Sequence, residues 1–117
     1  MFGGARVLIL EDEALIANDL TVAVEAAEGY VVGPLKSVAA ALALLKKEEV
    51  AAAILDANLI DGEVTPVAVL LIECGVAVVV HTGTGVPEGL HQRYPNVPVF
   101  LKPTSPENVV DALLKMI

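Results

Sequence analysis

Five short apolar runs, each followed by a stretch with helical spacing, constrain this chain more than anything else in it. The first run, Arg6 to Leu10, ends in Glu11-Asp12, and Leu15, Ile16, Leu20, Ala23, Val24 and Ala27 then fall at helical spacing until Gly29, which reads as the stop. Tyr30-Val31-Val32-Gly33 is a short second strand, broken by Gly33-Pro34. Ser37 caps a second helix with Val38, Ala41, Leu42 and Leu45 on its face. The third run, from Ala51 to Leu55, ends abruptly at Asp56 and suits a buried strand. Leu59-Ile60-Asp61-Gly62 reads as a turn, and Thr65-Pro66 as N-cap plus Pro at the first helical position. Val67, Leu70, Leu71 and Cys74 carry the third helix. Val76 to Val80 is a fourth strand, ending in His81-Thr82. Gly83 to Pro95 holds three glycines and two prolines, leaving room for a short or irregular fourth helix at Glu88 to Arg93. Val97 to Leu101 is the fifth strand, ending in Lys102-Pro103, and Ser105-Pro106-Glu107 caps a last helix with Val109, Val110, Leu113, Leu114 and Ile117 on its face.

Strand then helix, five times over, predicts an α/β domain spanning residues 1–117, with a five-stranded parallel sheet and helices on both faces. The expected strand order is 2-1-3-4-5, which sets the first and third strands side by side at the topological switch point. A chain of 117 residues suffices for one core. Aromatics make up only 3% while 56% of residues are hydrophobic, so that core must be aliphatic. The longest apolar run, Gly75 to Val80, is of strand length and no membrane span is expected. A net charge of −8 argues against a nucleic-acid or anionic-membrane surface. The single cysteine, Cys74, excludes an internal disulfide and a cysteine-based zinc cluster. Met1-Phe2-Gly3-Gly4 is too short for a signal peptide, so a cytoplasmic location is expected.

In a parallel sheet all strand C-termini lie at one edge, so Glu11, Asp12, Asp56, Thr82 and Lys102 share one rim. Any one of them alone is more often a turn, cap or surface residue. Together, ending four strands of one sheet, they make a site. Carboxylates crowded at the switch point repel one another, so one takes up a proton or a cation settles among them. An oxygen-only donor set suits Mg²⁺. Thr82 offers a hydroxyl and Lys102 an ammonium, both suited to the oxygens of a transferring phosphoryl group. A carboxylate with an open side can then accept it. Gly83-Thr84-Gly85 lacks a phosphate-loop lysine and reads as a flexible loop, and neither His81 nor His91 reads as catalytic.

These same residues resemble the receiver domain of two-component response regulators. The matching pieces are Val7-Leu8-Ile9-Leu10-Glu11-Asp12-Glu13, Ile54-Leu55-Asp56-Ala57-Asn58-Leu59, Thr82-Gly83 and Lys102-Pro103. The resemblance implies a flavodoxin-like (βα)₅ fold, and Asp56 as acceptor of a phosphoryl group from a phosphohistidine. It implies that Glu11, Asp12, Asp56 and the backbone carbonyl of Asn58 hold Mg²⁺. Thr82 and Lys102 would contact the phosphoryl group, and the Lys102-Pro103 bond would be cis. The implied partners are a histidine kinase or histidine phosphotransfer protein, docking near Ala14, Leu15 and Asn18, and a downstream protein target. By analogy, the last helix and fifth strand would form the output or homodimer surface. Such a domain acts catalytically on itself alone.

The chain departs from the commonest receiver pattern in three places: Ile60 stands where a proline is usual, Val99 where an aromatic switch residue is usual, and the fourth helix is short. Thr82-Gly83 with Val31-Val32-Gly33-Pro34 looks more like the stand-alone receivers of the Phe-Ala-Thr-Gly-Tyr type. Two other functions compete with this one. A degenerate receiver that binds protein without phosphorylation would not need the complete set of acids, Thr and Lys. A Mg²⁺-dependent phosphohydrolase of the aspartyl-phosphate type would usually carry a second acid at position 58, which is Asn here.

Overall fold

Alternating side chains along each strand send apolar groups to both faces of a sheet, and the computed structural model, which describes residues 1–117, is built on that alternation. The elements are β1 (Arg6–Leu10), α1 (Ala14–Ala26), β2 (Tyr30–Leu35), α2 (Val38–Leu45), β3 (Ala52–Leu55), β4 (Asn58–Leu59), β5 (Gly62–Glu63), α3 (Thr65–Glu73), β6 (Ala77–Thr82), α4 (Glu88–Arg93), β7 (Val99–Leu101) and α5 (Pro106–Leu114). Five strands form a parallel sheet in the order β2-β1-β3-β6-β7, the expected 2-1-3-4-5. The short β4 and β5 pair as a separate antiparallel hairpin.

Leu8, Leu10, Ala53, Leu55, Val78 and Val80 point to one face, where Ala41 of α2, Val67 and Leu71 of α3 and Leu90 of α4 cover them. Val7, Ile9, Ala52, Ile54 and Val79 point to the other, under Leu20 and Val24 of α1 and Val109, Val110 and Leu113 of α5. Both layers are aliphatic, apart from Phe2, which is buried against α1. At roughly 25 cal/mol per Å² of apolar area buried, these two layers supply the main stabilisation of the fold.

Three local expectations are corrected. The second strand does not break at Gly33-Pro34 but continues to Leu35, across a register shift opposite Leu8 and Leu10. Gly33, at φ +98°, makes this possible: a side chain there would sit 2.8 Å from the Leu35 nitrogen and 3.0 Å from the Ile9 carbonyl oxygen. Gly29 does not supply the left-handed residue that ends α1; Glu28 does, at φ +65°. Gly29 is required for space instead, since a Cβ there would come within 2.6 Å of a Val24 methyl. Thr65 is not the N-cap of α3. Val64 holds that position, with its N–H donated to the Ala57 carbonyl, and the Thr65 hydroxyl is buried without a hydrogen-bond partner.

The remaining caps follow the sequence. Ser37 accepts from the Ala40 N–H and Ser105 from the Asn108 N–H. α4 is a helix of six residues, Glu88–Arg93, after a loop with no helical turn, and the Lys102-Pro103 bond is cis. No helix is long and apolar enough to cross a membrane.

Candidate functional site

The switch point between β1 and β3 carries the site. Leu10 and Leu55 are paired in register, and one residue beyond them the chain turns polar. Asp56 is held by a further bond of that ladder, its N–H donating to the Leu10 carbonyl at 2.9 Å. Glu11 donates its N–H to the Leu35 carbonyl at 2.9 Å, which fixes it between β2 and β3. Both carboxylates start from rigid strand ends and are almost fully enclosed, Glu11 at 1% and Asp56 at 6% exposure. Asp12, one residue further, is half-buried, and one oxygen from each of the three carboxylates lies within 4.8 Å of the others.

Lys102 enters from the end of β7. Its backbone N–H donates to the Thr82 carbonyl at 2.8 Å, which ties β7 to β6. Its ammonium donates to Asp56 Oδ2 at 3.2 Å and to Glu11 Oε2 at 3.3 Å, and lies 3.0 Å from Glu11 Oε1. One ammonium therefore stands against three carboxylates. Burial pushes the Glu11 carboxyl up to about 7; the hydrogen bonds from Lys102 and from the Glu13 N–H reduce that rise but do not cancel it. Burial works against the Lys102 charge too, but its bonds to Glu11 and Asp56 outweigh that and hold the ammonium above its usual range.

The donor set fits a hard divalent cation. All ligand atoms are oxygens from Glu11, Asp12 and Asp56, they converge, and Glu11 Oε1 is buried without an aligned hydrogen-bond donor. The Lys102 ammonium at 3.0 Å is the one positive charge beside that oxygen and is shared with Asp56, so a proton or a further cation would stabilise the cluster.

Thr82, fully buried at the end of β6, does not bond to the acids. Its hydroxyl donates to the Gly85 carbonyl at 3.3 Å and accepts from the Thr84 N–H at 3.1 Å. Asn58 donates its backbone N–H to Asp56 Oδ1 at 3.4 Å, and its side-chain amide to Thr84 Oγ1 at 2.8 Å. The sequence reading thus assembles Glu11, Asp12, Asp56 and Lys102 directly, with Thr82 beside them but turned toward its own loop.

Two participants, Thr84 and Asp61, and one buried neighbour, His81, escaped that reading. Thr84 joins the loop after Asp56 to the loop after Thr82. Asp61, at the tip of the β4–β5 hairpin, accepts from the Val38 and Ala39 N–H groups and so anchors that loop to the N-terminus of α2. Those two bonds lower its carboxyl below the ordinary range. His81 is 3% exposed with neither ring nitrogen bonded, and burial lowers its pKa, with the nearby Lys102 charge adding to the effect. Period-two alternation from Val79 was the available signal that His81 points into the core.

A scan against protein-family models finds no match, and no curated protein is similar by the same standard. Solved structures are similar. The solution structure of SdrG from Sphingomonas melonis Fr1 shares 36% identity over 99% of this chain and 98% of its own, with a TM-score of 0.81. The BeF₃-activated conformation of SdrG from Pseudomonas melonis Fr1 shares 37% identity over the full length of both chains, with a TM-score of 0.73. The response regulator PhyR from Brucella abortus shares 32% identity over 97% of this chain but 47% of its own, with a TM-score of 0.75. With a flavodoxin-like sheet, an acidic cluster at its switch point and this degree of identity over nearly its whole length, the chain belongs to the response regulator receiver domains of two-component signalling.

Proposed function

We propose that residues 1–117 form a single phosphoacceptor receiver unit in which Asp56 takes a phosphoryl group from a phosphohistidine. The observation that carries this reading is the Lys102 ammonium poised between Asp56 and Glu11, with the Asp12 carboxylate in the same cluster. In the transfer, an Asp56 carboxylate oxygen forms a bond to phosphorus while the P–N bond to the donor imidazole breaks, its electron pair leaving on nitrogen. Glu11, Asp12, Asp56 and the Asn58 backbone carbonyl would hold Mg²⁺, which supplies charge neutralisation for the phosphoryl oxygens when bound. Lys102 is already tethered to the acceptor and contributes its charge to the same oxygens. Thr82 donates its hydroxyl to the phosphoryl group once it releases the Gly85 carbonyl.

The donor is a histidine kinase or histidine phosphotransfer protein. Ala14, Leu15 and Asn18 are exposed on α1 beside the rim; Leu15, at 83%, offers it an apolar contact and Asn18 a polar one. Leu101 and Ile117, exposed at 61% and 55%, support β7 and α5 as the surface that a downstream protein or a second copy reads. The SdrG relative adopts a BeF₃-activated conformation, and beryllofluoride is the matching probe here. With Mg²⁺ present it should shift the amide resonances of Asp56, Thr82 and Gly83 to Glu88; the absence of any Mg²⁺-dependent change at Asp56 would sink the reading.

A further inference from the structure

One hydrogen bond links the two loops at the site, and the bonds that continue from it within the Thr82 loop run in the same sense. Asn58 Nδ2 donates to Thr84 Oγ1 at 2.8 Å, across 26 residues of sequence. Thr84 Oγ1 and Thr82 Oγ1 are 3.4 Å apart, and Thr82 Oγ1 donates to the Gly85 carbonyl at 3.3 Å. The Thr84 N–H closes the turn onto Thr82 Oγ1 at 3.1 Å. A hydroxyl has one proton to give. With the Thr82 proton on Gly85, it is the Thr84 proton that points across the gap to Thr82. A chain of donors aligned head to tail polarises and strengthens each of its members.

That arrangement has a consequence for Thr82. To donate to a phosphoryl oxygen on Asp56, it must take its proton off the Gly85 carbonyl and break the alignment behind it. Asn58 lies two residues after Asp56 and Thr84 two residues after Thr82, so the bond between them also holds the acceptor loop against the reporting loop.

We propose that the Asn58–Thr84 hydrogen bond is a resting-state latch, and that Thr84 is a positioning residue that holds the Thr82 hydroxyl away from the phosphoryl position. The inference rests on Asp56 being the acceptor. Thr84 makes no hydrogen bond to the acids or to Lys102; its side-chain partners are Asn58 and Thr82. Both Asn58 and Thr84 are exposed, so the latch is a modest bias that phosphorylation can override.

The test compares the wild type with T84V, which removes the hydroxyl but keeps the branched shape, and T84S, which keeps the hydroxyl. Beryllofluoride affinity is measured in saturating Mg²⁺, and Mg²⁺ affinity separately. T84V should bind beryllofluoride about two- to fivefold more tightly than the wild type, a range set by the loss of one exposed hydrogen bond. T84S should match the wild type, and Mg²⁺ affinity should be the same in all three. In the cation-free proteins, the Asn58 side-chain amide resonances should move in T84V and stay in T84S. Equal or weaker beryllofluoride binding by T84V, or T84S behaving like T84V, overturns the latch alone. Failure of the wild type to bind beryllofluoride at all overturns the acceptor reading, and the latch with it.

Discussion

The proposed cation site should be proton-linked through Glu11, and the size of that linkage follows from its burial. In the cation-free protein its carboxyl is pushed up to about 7, so near neutral pH about half of the molecules carry a proton there. A divalent cation needs the ionised form and must displace that proton. Apparent Mg²⁺ affinity should then fall by nearly tenfold per pH unit below about 7 and level off above it, a loss of about thirtyfold between roughly pH 8 and pH 5.5. Calorimetry in two buffers of different ionisation enthalpy would count the protons released, about 0.9 per Mg²⁺ near pH 6 and about 0.1 near pH 8. E11Q should bind more weakly at high pH and lose the steep slope. It leaves His81 in place, whose lowered pKa confines its titration to the acid end, so the difference between the two proteins isolates Glu11. The same shift acts on folding in the opposite sense. The native state holds the Glu11 proton more tightly than the unfolded chain, so this stabilisation is complete below 4.5 and is lost as pH rises to about 7. A flat affinity profile in the wild type, or an equal slope in E11Q, would show that Glu11 does not carry the linkage.

Three further outcomes are expected. K102A leaves Glu11 and Asp56 without their shared ammonium and should lower cation-free stability by about 1–3 kcal/mol in urea unfolding, a loss that Mg²⁺ offsets; a deficit indifferent to Mg²⁺ would contradict the charge argument. E28G relieves a left-handed conformation on a side-chain-bearing residue and should raise stability by about 1 kcal/mol; no gain would mean that the helix end is not strained. T65V removes a buried hydroxyl without a partner and should stabilise by about 1 kcal/mol, whereas destabilisation would reveal a bond to that hydroxyl.

The site was legible in the sequence because its anchors are strand ends. A parallel sheet sends every strand C-terminus to one edge, so reading the strands as far as Leu10, Leu55, Val80 and Leu101 also brought Glu11, Asp56, Thr82 and Lys102 to that edge. What was not legible depends on contacts distant in sequence or on space. Asp61 looked like a turn residue because its partners, Val38 and Ala39, lie on another element. Asn58 was read only for its backbone carbonyl and Thr84 only as part of a flexible loop, because nothing local pairs their side chains. Gly29 was read for its backbone freedom, whereas the neighbouring Val24 and Phe2 demand its lack of a side chain. Thr65-Pro66 carried a helix-start signature, but the chain entering from the hairpin seats Val64 at the cap and shifts the helix by one residue.

Phosphorylation at Asp56 is the claim on which the rest depends. The direct measurement is mass spectrometry of the intact protein, and of its peptides, after incubation with a small-molecule phosphodonor and Mg²⁺. The wild type should gain one phosphoryl group, mapped to the peptide containing Asp56, and D56N should gain none. Equal labelling of D56N, or no labelling of the wild type with Mg²⁺ bound, would contradict it.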